Sequence, residues 1–435
     1  MDSLIVPLSS PEAVDANRFG PKAANQAALG QAGLPIPDGF CIDAAAYRLQ
    51  LAALDLESSA RGAFAASDPA EARQHALRMK LELLAQPIAE PVVEPLLEAW
   101  RALVARTGEP TVVRSSALVE DRDGANFAGQ FESYLGIEHE SEFLTAVRAC
   151  WAALWSTRAL RYMATHDLDP ADTAMAVLVQ PLVAAKAAGG GLSRTATGEM
   201  VVTATWGLGS AIAQGEVTPD RFELSLEGEL LHVAVGQKDH SVGCTHRTPA
   251  TQAVPRALAS KPCLESSQIS DIARLLRRAE EVQGGPVEIE WALDEGGFKL
   301  LQARPLGIHP AHVPDEIWLQ HPRVSGHPAG VGWGVGRAVV INCECELSRV
   351  ATGDVLVTRV AGPALAHVLS RVAGVVTERG GSTSHFASLA RERGIPMVLG
   401  VDDATRRIPD GAQVAVDGVA GIVRWMRSSP VGLRA

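Results

Sequence analysis

The residue whose type and surroundings most favour chemistry is His385, which ends the segment GGSTSH (residues 380–385). Two glycines allow the backbone to turn tightly before a helix, and the free N–H groups of a helix N-terminus favour a negatively charged phosphoryl group. A neutral imidazole is a nucleophile at about pH 7, and the hydroxyl groups of Thr383 and Ser384 can donate hydrogen bonds. A histidine near a helix start is more often structural, so the residues alone leave a phosphoryl carrier and a structural histidine both open.

Oxygen-bearing side chains form a second candidate group, in the segments VEIEW and LLQARP. Glu288 and Glu290 are two positions apart in the first segment, so they point to the same face of a strand. Gln302 lies on the next strand, after an EGG turn, and can sit across from them. Hard oxygen ligands on one face suit Mg²⁺ that bridges phosphates. Alternating glutamates are also typical of a solvated strand face, but the partner strand LLQARP favours the metal site.

Two folded units are predicted to position these residues. Residues 1–105 carry apolar residues at helical spacing, and from Thr111 the chain contains several strands with glycine-containing hairpin turns. This mixture predicts an α+β unit over residues 1–305. Residues 306–322, rich in Pro and His, show no periodicity and are predicted to be a non-helical linker. Strands and helices then alternate over residues 323–435, which predicts a small α/β unit.

Bulk composition limits the classes of partner. The chain of 435 residues has a net charge of −11, which argues against nucleic acid and against anionic membranes as partners. No apolar stretch is long enough to span a bilayer, and the N-terminus lacks the basic start of a signal peptide. The six cysteines include no CxxC pair, so reduced thiols are expected, Cys343 and Cys345 included. These features predict a cytoplasmic protein.

The segment around His385 resembles the mobile phosphohistidine domain of the phosphoenolpyruvate-utilising phosphotransferase family. The similarity runs from GGSTSH through LARERGIPMVLGV to DGAQVAVDGVAGIV. It implies that His385 is the phosphorylated residue, that Thr383 assists the reaction, and that residues 323–435 form a swivelling domain. Two positions depart from the family's pattern: Phe386 stands where a small residue is usual, and Ser388 where an aliphatic residue is usual. Phe386 is therefore expected to narrow access to the phosphohistidine.

Residues 1–305 resemble the ATP-binding domain of the same family, an α+β ATP-grasp fold with two subdomains divided near residues 180–200. Six stretches match in the family's order: FGPKAANQAAL, GLPIPDGFCI, VVRSSALVEDRDGANFAGQFESYLGI, VQPLV, WGLGSAIAQGEVTPDRF and VEIEWALDEGGFKLLQARP. The resemblance implies ATP and Mg²⁺ as cofactors. The residues that it implies for nucleotide binding are Lys22, Arg114, Gly129, Gln130, Gln180, Pro181, Leu182, Val183, Arg194 and Arg304.

The implied roles follow the chemistry of each side chain. Lys22 supplies a point charge and Arg114 a planar fork of donors, and a triphosphate uses both during binding and catalysis. The implied metal ligands are Glu288, Glu290 and Gln302, with Glu288 at a position where the family usually has Asp.

The resemblance implies a dikinase-type reaction. ATP is held by Mg²⁺ and basic residues, His385 takes the β-phosphoryl group, AMP and phosphate leave, and the carrier swings to a small-molecule acceptor. No separate acceptor-binding domain is expected in this sequence. The acceptor therefore docks between the two domains or binds to a separate acceptor subunit, in which case this chain is a phosphoryl donor. A nucleotide sensor without catalysis is the third alternative, which the joint presence of the implied site residues disfavours.

Overall fold

The structure, a computed structural model, describes residues 3–65, 68–120, 131, 133–165, 168–169, 173–245, 248–308, 316–362 and 365–426. Its helices, numbered in chain order, are α1 (Ala16–Gln31), α2 (Ala44–Ala53), α3 (Glu57–Ala65), α4 (Pro69–Ala85), α5 (Glu90–Thr107), α6 (Glu140–Ala153), α7 (Thr157–Thr165), α8 (Ser210–Ala213), α9 (Arg256–Ala259), α10 (Ser266–Gln283), α11 (Glu316–Leu319), α12 (Ala366–Leu369), α13 (His385–Glu392) and α14 (Ala404–Arg407). Short 3₁₀ helices cover Pro11–Val14 and Glu344–Arg349.

The strands of the first unit are β1 (Ile5–Pro7), β2 (Phe40–Ile42), β3 (Thr111–Ala117), β4 (Ser133–Ile137), β5 (Met175–Pro181), β6 (Ala187–Leu192), β7 (Met200–Trp206), β8 (Asp220–Leu224), β9 (Leu230–Ala234), β10 (His240–Thr245), β11 (Thr248–Ala253), β12 (Val287–Asp294) and β13 (Gly297–Pro305). Those of the second unit are β14 (Arg323–Ser325), β15 (His327–Pro328), β16 (Trp333–Ile341), β17 (Val355–Thr358), β18 (Gly374–Thr377), β19 (Met397–Leu399), β20 (Gln413–Asp417) and β21 (Ile422–Trp425).

Two antiparallel sheets and a hairpin make up the first unit. The first sheet has the order β1-β2-β5-β3-β4, and the second has the order β13-β12-β6-β7-β8-β9. β10 pairs with β11 in the hairpin. α2, α5 and α6 pack on the first sheet, whereas α10 packs on the second. The chain passes from one sheet to the other between β5 and β6, within the region where two subdomains were expected to divide.

α1 lies between the two sheets, in contact with β3, β5 and β13. The Gln26 side chain donates a hydrogen bond to the Leu300 carbonyl of β13 at 2.5 Å. Gly20 breaks the helix near its start with a φ of 73°, and a Cβ there would lie 2.4 Å from the Ser116 carbonyl oxygen of β3. Glycine therefore permits the close approach of helix and strand that brings Lys22 to the junction of the sheets.

The second unit is built on one mixed sheet of order β14-β21-β20-β16-β17-β18-β19-β15. The four strands from β16 to β19 are parallel neighbours, so their connections cross over, and α12 and α13 lie in two of them. α13 begins at His385, and the Ser384 hydroxyl caps it by accepting a hydrogen bond from the Ala387 N–H at 3.2 Å. His385 thus follows the carboxyl end of β18, the edge at which α/β sheets commonly bind ligands.

Buried apolar residues form a continuous core that runs from the helical layer of the first sheet into the second unit. Phe386 belongs to this core and is 5% exposed. Its ring therefore packs inward, and the expectation that it narrows access to His385 is wrong. A second core lies between α10 and the second sheet.

Most of the elements predicted from the sequence are confirmed, including the α+β first unit and the α/β second unit. The prediction that residues 1–105 are mainly helical missed β1 and β2, which have three residues each. The linker at 306–322 contains α11, so the prediction that it is non-helical is wrong there. Within the described ranges, none of the helices combines the length and apolar composition that crossing a bilayer requires.

The cysteine expectation is also corrected. Cys343 and Cys345 form a disulfide, because the backbone between them places their Cα atoms 5.4 Å apart, within bonding range. Cys41, Cys150 and Cys263 are buried thiols outside the disulfide, in agreement with the expectation of reduced cysteines.

Gly20→Ala should destabilise the protein more than Gly33→Ala. Both glycines have positive φ, 73° and 81°, so both substitutions carry a backbone penalty, and at Gly20 the ψ of 156° adds to it because this region is essentially restricted to glycine. An added Cβ collides with β3 at Gly20, whereas no described atom lies within 4 Å of one at Gly33. We expect an extra loss of roughly 1–3 kcal/mol for Gly20→Ala, measured as a lower midpoint of thermal unfolding. Equal midpoints for the two variants would contradict the close approach of α1 to β3.

Candidate functional site

A cavity of about 550 Å³ lies between the two sheets of the first unit, and the start of α13 forms part of its wall. It brings together most of the residues singled out in the sequence. Those that line it are Lys22, Arg114, Gln180, Pro181, Leu182, Val183, Glu290, Gln302, Arg304, Thr383 and His385. Its volume lies within the range usual for small-molecule and cofactor sites.

Lys22 is held at the cavity wall by the first sheet. Its Nζ donates to the Ser115 carbonyl at 2.8 Å and pairs with Glu120 Oε1 at 3.2 Å. Glu120 is in turn fixed by the Ala117 N–H, which donates to its Oε2 at 2.9 Å. Burial raises the pKa of Glu120, and the charge of Lys22 opposes that rise. The described partners use two of the three N–H donors of the ammonium, so a further acceptor such as a phosphate oxygen can be bound.

Arg114 links the two sheets across the cavity. Its Nη1 donates to the Leu301 carbonyl at 2.5 Å, and its Nη2 donates to Gln302 Oε1 at 3.0 Å and lies 3.5 Å from Glu290 Oε2. Glu290 and Gln302 are register partners on β12 and β13, so their oxygens stand side by side. Burial would raise the pKa of Glu290, but the positive charges of Arg114 and Arg304 outweigh it and hold the pKa below its usual value.

Residues 180–183 form one edge of the cavity, at the end of β5. The Gln180 side chain turns away to donate to the Pro37 carbonyl at 3.1 Å. This edge therefore presents backbone atoms and apolar side chains, a surface that suits a planar aromatic base.

His385 is partly buried where α13 meets the cavity. Desolvation lowers the pKa of its imidazole; the negative charge of Glu290 opposes this shift and Arg304 reinforces it, so the pKa falls below 6.5. Its buried Nδ1 has no hydrogen-bond partner among the described atoms. At neutral pH the ring is therefore neutral, which is the nucleophilic form.

The loop before α13 is seated on the second sheet. Thr383 Oγ1 lies 2.7 Å from Thr203 Oγ1 of β7, and Arg221 of β8 donates to Ser382 Oγ at 3.3 Å. A Cβ at position 190, on β6, would lie 2.5 Å from Thr383 Cβ. Gly190 therefore permits the second unit to approach the strand closely.

The structure separates Glu288 from the predicted metal ligands. Although it shares a strand face with Glu290, it lies outside the cavity lining and is 3% exposed. Its Oε2 accepts hydrogen bonds from Ser388 Oγ at 2.9 Å and Arg304 Nε at 3.2 Å, and it pairs with Arg391 Nη2 at 2.8 Å. Burial would raise its pKa, but the two arginines hold the pKa at about 2. Alternation along the strand gave the correct face, but the Glu288 carboxylate is paired with Arg304 of the same sheet and Arg391 of the second unit.

Arg194 is also placed elsewhere. It lines a second cavity, of about 540 Å³, between the second sheet and the second unit, and its Nη2 pairs with Glu280 Oε1 at 3.1 Å. The loop after β6 carries it towards α10, so the prediction that Arg194 binds the nucleotide is not supported by its position. Gly129 and Gln130, predicted to close over the phosphates, lie outside the described residues.

Sequence reasoning missed three residues of the cavity region. Glu120 and Arg158 line the cavity, and Gly190 both lines it and receives Thr383. Glu120 lies inside the matched stretch that contains Arg114, and the run GGG at 189–191 inside a strand is a signal for close approach of another segment. Arg158 carries no comparable signal.

Glu290 and Gln302 are the side chains best placed to hold a metal ion. Mg²⁺ is usually bound by one or two carboxylates, with substrate phosphates and water completing its octahedron. In the described part of the chain, no cluster of three or more His, Cys, Asp or Glu residues could hold an ion by itself. The two oxygens therefore fit a magnesium ion that arrives with a phosphate ligand.

Comparisons with known proteins find relatives for both units. The family model described as pyruvate phosphate dikinase, AMP/ATP-binding domain, matches residues 16–319, and that of the PEP-utilising enzyme mobile domain matches residues 350–421. A probable phosphoenolpyruvate synthase of Methanothermobacter thermautotrophicus is 32% identical over 420 residues, which cover 94% of this chain and 61% of the relative. The phosphoenolpyruvate synthase of Aeropyrum pernix is 32% identical, with 93% of this chain and 56% of the relative covered. A probable phosphoenolpyruvate synthase of Archaeoglobus fulgidus is 33% identical, with the same two shares. The chain thus spans 56–61% of the length of these relatives.

The pKa of His385 should be measurably below 6.5 and should fall further in Glu290→Gln. The carboxylate of Glu290 stabilises the imidazolium, so its removal leaves the nearby arginine charge unopposed. A ¹³C-histidine NMR titration checks this, with the His385 resonance assigned from its absence in His385→Asn. A pKa above 6.5 in the wild type, or a rise in Glu290→Gln, would contradict the electrostatic description of the site.

Proposed function

Because the chain belongs to the phosphoenolpyruvate-utilising phosphotransferase family, with an AMP/ATP-binding domain followed by a mobile domain, we propose that it transfers the β-phosphoryl group of ATP to His385. One observation carries the proposal: a neutral imidazole on the second unit and the cations Lys22, Arg114 and Arg304 on the first unit line the same cavity. The second unit is the carrier domain in this proposal, and the first unit is an ATP-grasp domain.

The proposed half-reaction balances with one water molecule. The His385 imidazole attacks the β-phosphorus, the bond to the α-phosphate oxygen breaks, and AMP leaves. Water takes the γ-phosphoryl group, which leaves as inorganic phosphate, and the ring N–H proton is released. Holding nucleophile and phosphate in line and stabilising the transferring charge supply most of the acceleration in phosphoryl transfer.

The roles of the cavity residues follow from their contacts. Lys22, fixed by Ser115 and Glu120, binds phosphate oxygens as a point charge. Arg114 reaches the same place with a planar fork, and residues 180–183 border the adenine. Magnesium, held by Glu290 and Gln302, supplies charge neutralisation of the phosphates when it is bound. Thr383 orients the loop that presents His385.

The second half-reaction, transfer from His385 to a small-molecule acceptor, completes the proposed activity. The relatives are named as phosphoenolpyruvate synthases, so pyruvate is the first acceptor to test. The chain spans 56–61% of those relatives, and the acceptor is not identified by any contact in the described residues.

ATP labelled at the β position should leave a phosphoryl group on His385 and release AMP. In the presence of Mg²⁺ we expect an acid-labile, base-stable label, as the N–P bond requires, with AMP and not ADP as the nucleotide product. His385→Ala should remove the label while nucleotide affinity stays within about twofold, since the cavity cations remain. Mass spectrometry of the peptide and chromatography of the nucleotides provide the measurements.

Arg114→Ala should slow label formation at least about tenfold, because it removes charge stabilisation beside the transferring group. Arg406→Gln is the matched control, since the Arg406 side chain is 84% exposed and pairs only with Asp403, the residue before α14, among the described ion pairs. Label that persists in His385→Ala, or ADP as the product, would overturn the proposed function.

A carrier locked in the observed position should be phosphorylated once and then stop. Thr203 and Thr383 lie on different domains with their Oγ1 atoms 2.7 Å apart, so cysteines at both positions can form a disulfide. We expect the oxidised double variant to form one equivalent of phosphohistidine and no further AMP. The same protein after reduction should release AMP continuously with pyruvate or another effective acceptor, and the Thr383→Cys single variant gives the reference rate without the Thr383 hydroxyl. Continuous turnover in the oxidised form would show that the acceptor enters the nucleotide cavity and that swivelling is unnecessary.

A further inference from the structure

A buried carboxylate outside the nucleotide cavity joins the two domains. Glu288 of β12 is 3% exposed. Its carboxylate accepts a hydrogen bond from Ser388 Oγ at 2.9 Å and forms an ion pair with Arg391 Nη2 at 2.8 Å, and both partners lie on α13. Arg304, on the neighbouring strand β13, binds the same oxygen through Nε at 3.2 Å. Ser388 and Arg391 are themselves 2% and 8% exposed. This cluster of four residues is therefore a desolvated polar contact inside an interface that must separate if the carrier moves.

The cluster lies next to His385 along α13 and next to Glu290 along β12. Along α13, Ser388 and Arg391 follow His385 by three and six positions, so the three side chains occupy one side of the helix, roughly 120° wide. Along β12, Glu288 and Glu290 occupy one strand face. The contact of Glu288 with α13 thus runs beside the cavity wall that Glu290 and His385 share.

We propose that Glu288 is a positioning residue that docks the carrier helix and thereby sets His385 in line with the nucleotide. The inference rests on the proposed function, because it explains how the phosphorylated position is reached. The carboxylate acts through Ser388 and Arg391, and it is not a magnesium ligand in this chain.

The identity of the residues supports this role. Two of the three positions at which this chain departs from the family's pattern, Glu288 and Ser388, lie in opposite domains and contact each other directly. The longer arm of Glu relative to Asp lets the carboxylate reach a hydroxyl across the interface. Arg391 is anchored independently, since its Nη1 donates to the Ser382 carbonyl at 2.5 Å and to the Ala329 carbonyl at 3.1 Å. The arginine is therefore preorganised within the carrier to receive Glu288.

Replacement of Glu288 should separate docking from nucleotide binding. In Glu288→Gln we expect phosphohistidine formation to slow at least about tenfold, while the affinity for Mg–ATP, measured by calorimetry, changes by less than about twofold. In Glu290→Gln we expect the opposite pattern, in which the main effect is a weaker affinity for Mg–ATP. Ser388→Ala removes the hydroxyl group but leaves Glu288 and every charge in place. It should also slow phosphohistidine formation, while the affinity for Mg–ATP stays unchanged. In the double variant the two losses should combine less than additively, because both changes weaken the same contact.

A second measurement reports docking without any reaction. The rate at which the Thr203→Cys/Thr383→Cys pair oxidises, without nucleotide, measures the population of the docked carrier. Adding Glu288→Gln or Ser388→Ala should lower this rate severalfold, whereas adding Arg406→Gln should not change it.

The outcomes separate the two proposals. If the wild type forms no phosphohistidine, the proposed function fails, and the oxidation rates still decide whether Glu288 docks the carrier. If the wild type is phosphorylated, but Glu288→Gln and Ser388→Ala keep wild-type phosphorylation and oxidation rates, the positioning role is overturned. Loss of Mg–ATP affinity in Glu288→Gln with unchanged oxidation would assign Glu288 to the metal site. If Glu288→Gln fails to fold, Ser388→Ala alone decides the matter by the same two measurements.

Discussion

Alternating buried charges connect α1, both sheets of the first unit and the carrier helix, and this arrangement fixes the geometry of the site. Glu120 orients Lys22, Arg114 bridges to Gln302 and Glu290, and Arg304 shares Glu288 with Arg391. A buried charge without a partner is strongly destabilising, so each member restricts the position of the next. Because the members come from distant parts of the sequence, satisfying them determines how the sheets and the carrier are placed together.

In the proposed function, the same constraint explains how the cavity can receive a triphosphate. Its cations are already partnered by carboxylates, carbonyls and amides of the protein, so the site is stable without a ligand. Phosphate oxygens are stronger competitors for a guanidinium than a side-chain amide is, and magnesium can take over the oxygens of Glu290 and Gln302. Nucleotide binding then exchanges partners without leaving any of these groups buried and unpaired. Arg114 would change partners most, since it contacts Gln302 Oε1 and Glu290 Oε2, the two oxygens that a magnesium ion would use.

The interface between the domains combines close approach with polar contacts. Glycine at 190 receives Thr383, and a Cβ at Gly381 would lie 2.7 Å from Pro219 Cγ. Hydrogen bonds from Arg221 and Ser388 and the Arg391–Glu288 pair lie around these points. The interface also includes part of the shared apolar core, so the separation that the proposed function requires exposes apolar surface as well as polar groups. The polar contacts are the part of this interface that suits two domains that dock and separate, as the proposed function requires of the carrier.

The sequence by itself determined the elements and the types of chemistry in this protein. Helical and strand periodicity located both units, and the motif around His385 together with the basic and acidic positions identified the family and most of the cavity residues. The tertiary structure decided which of these groups share a cavity. Alternation placed Glu288 and Glu290 on one face, but only the packing of α13 against β12 showed that Ser388 and Arg391 occupy Glu288. Arg194 lies in a matched region, yet the loop after β6 carries it to Glu280. Glu120 was missed because its role depends on Lys22, which is distant in sequence and adjacent in space. Local pattern is set by short-range backbone geometry, whereas the partners of a buried charge are set by long-range packing that no single segment encodes.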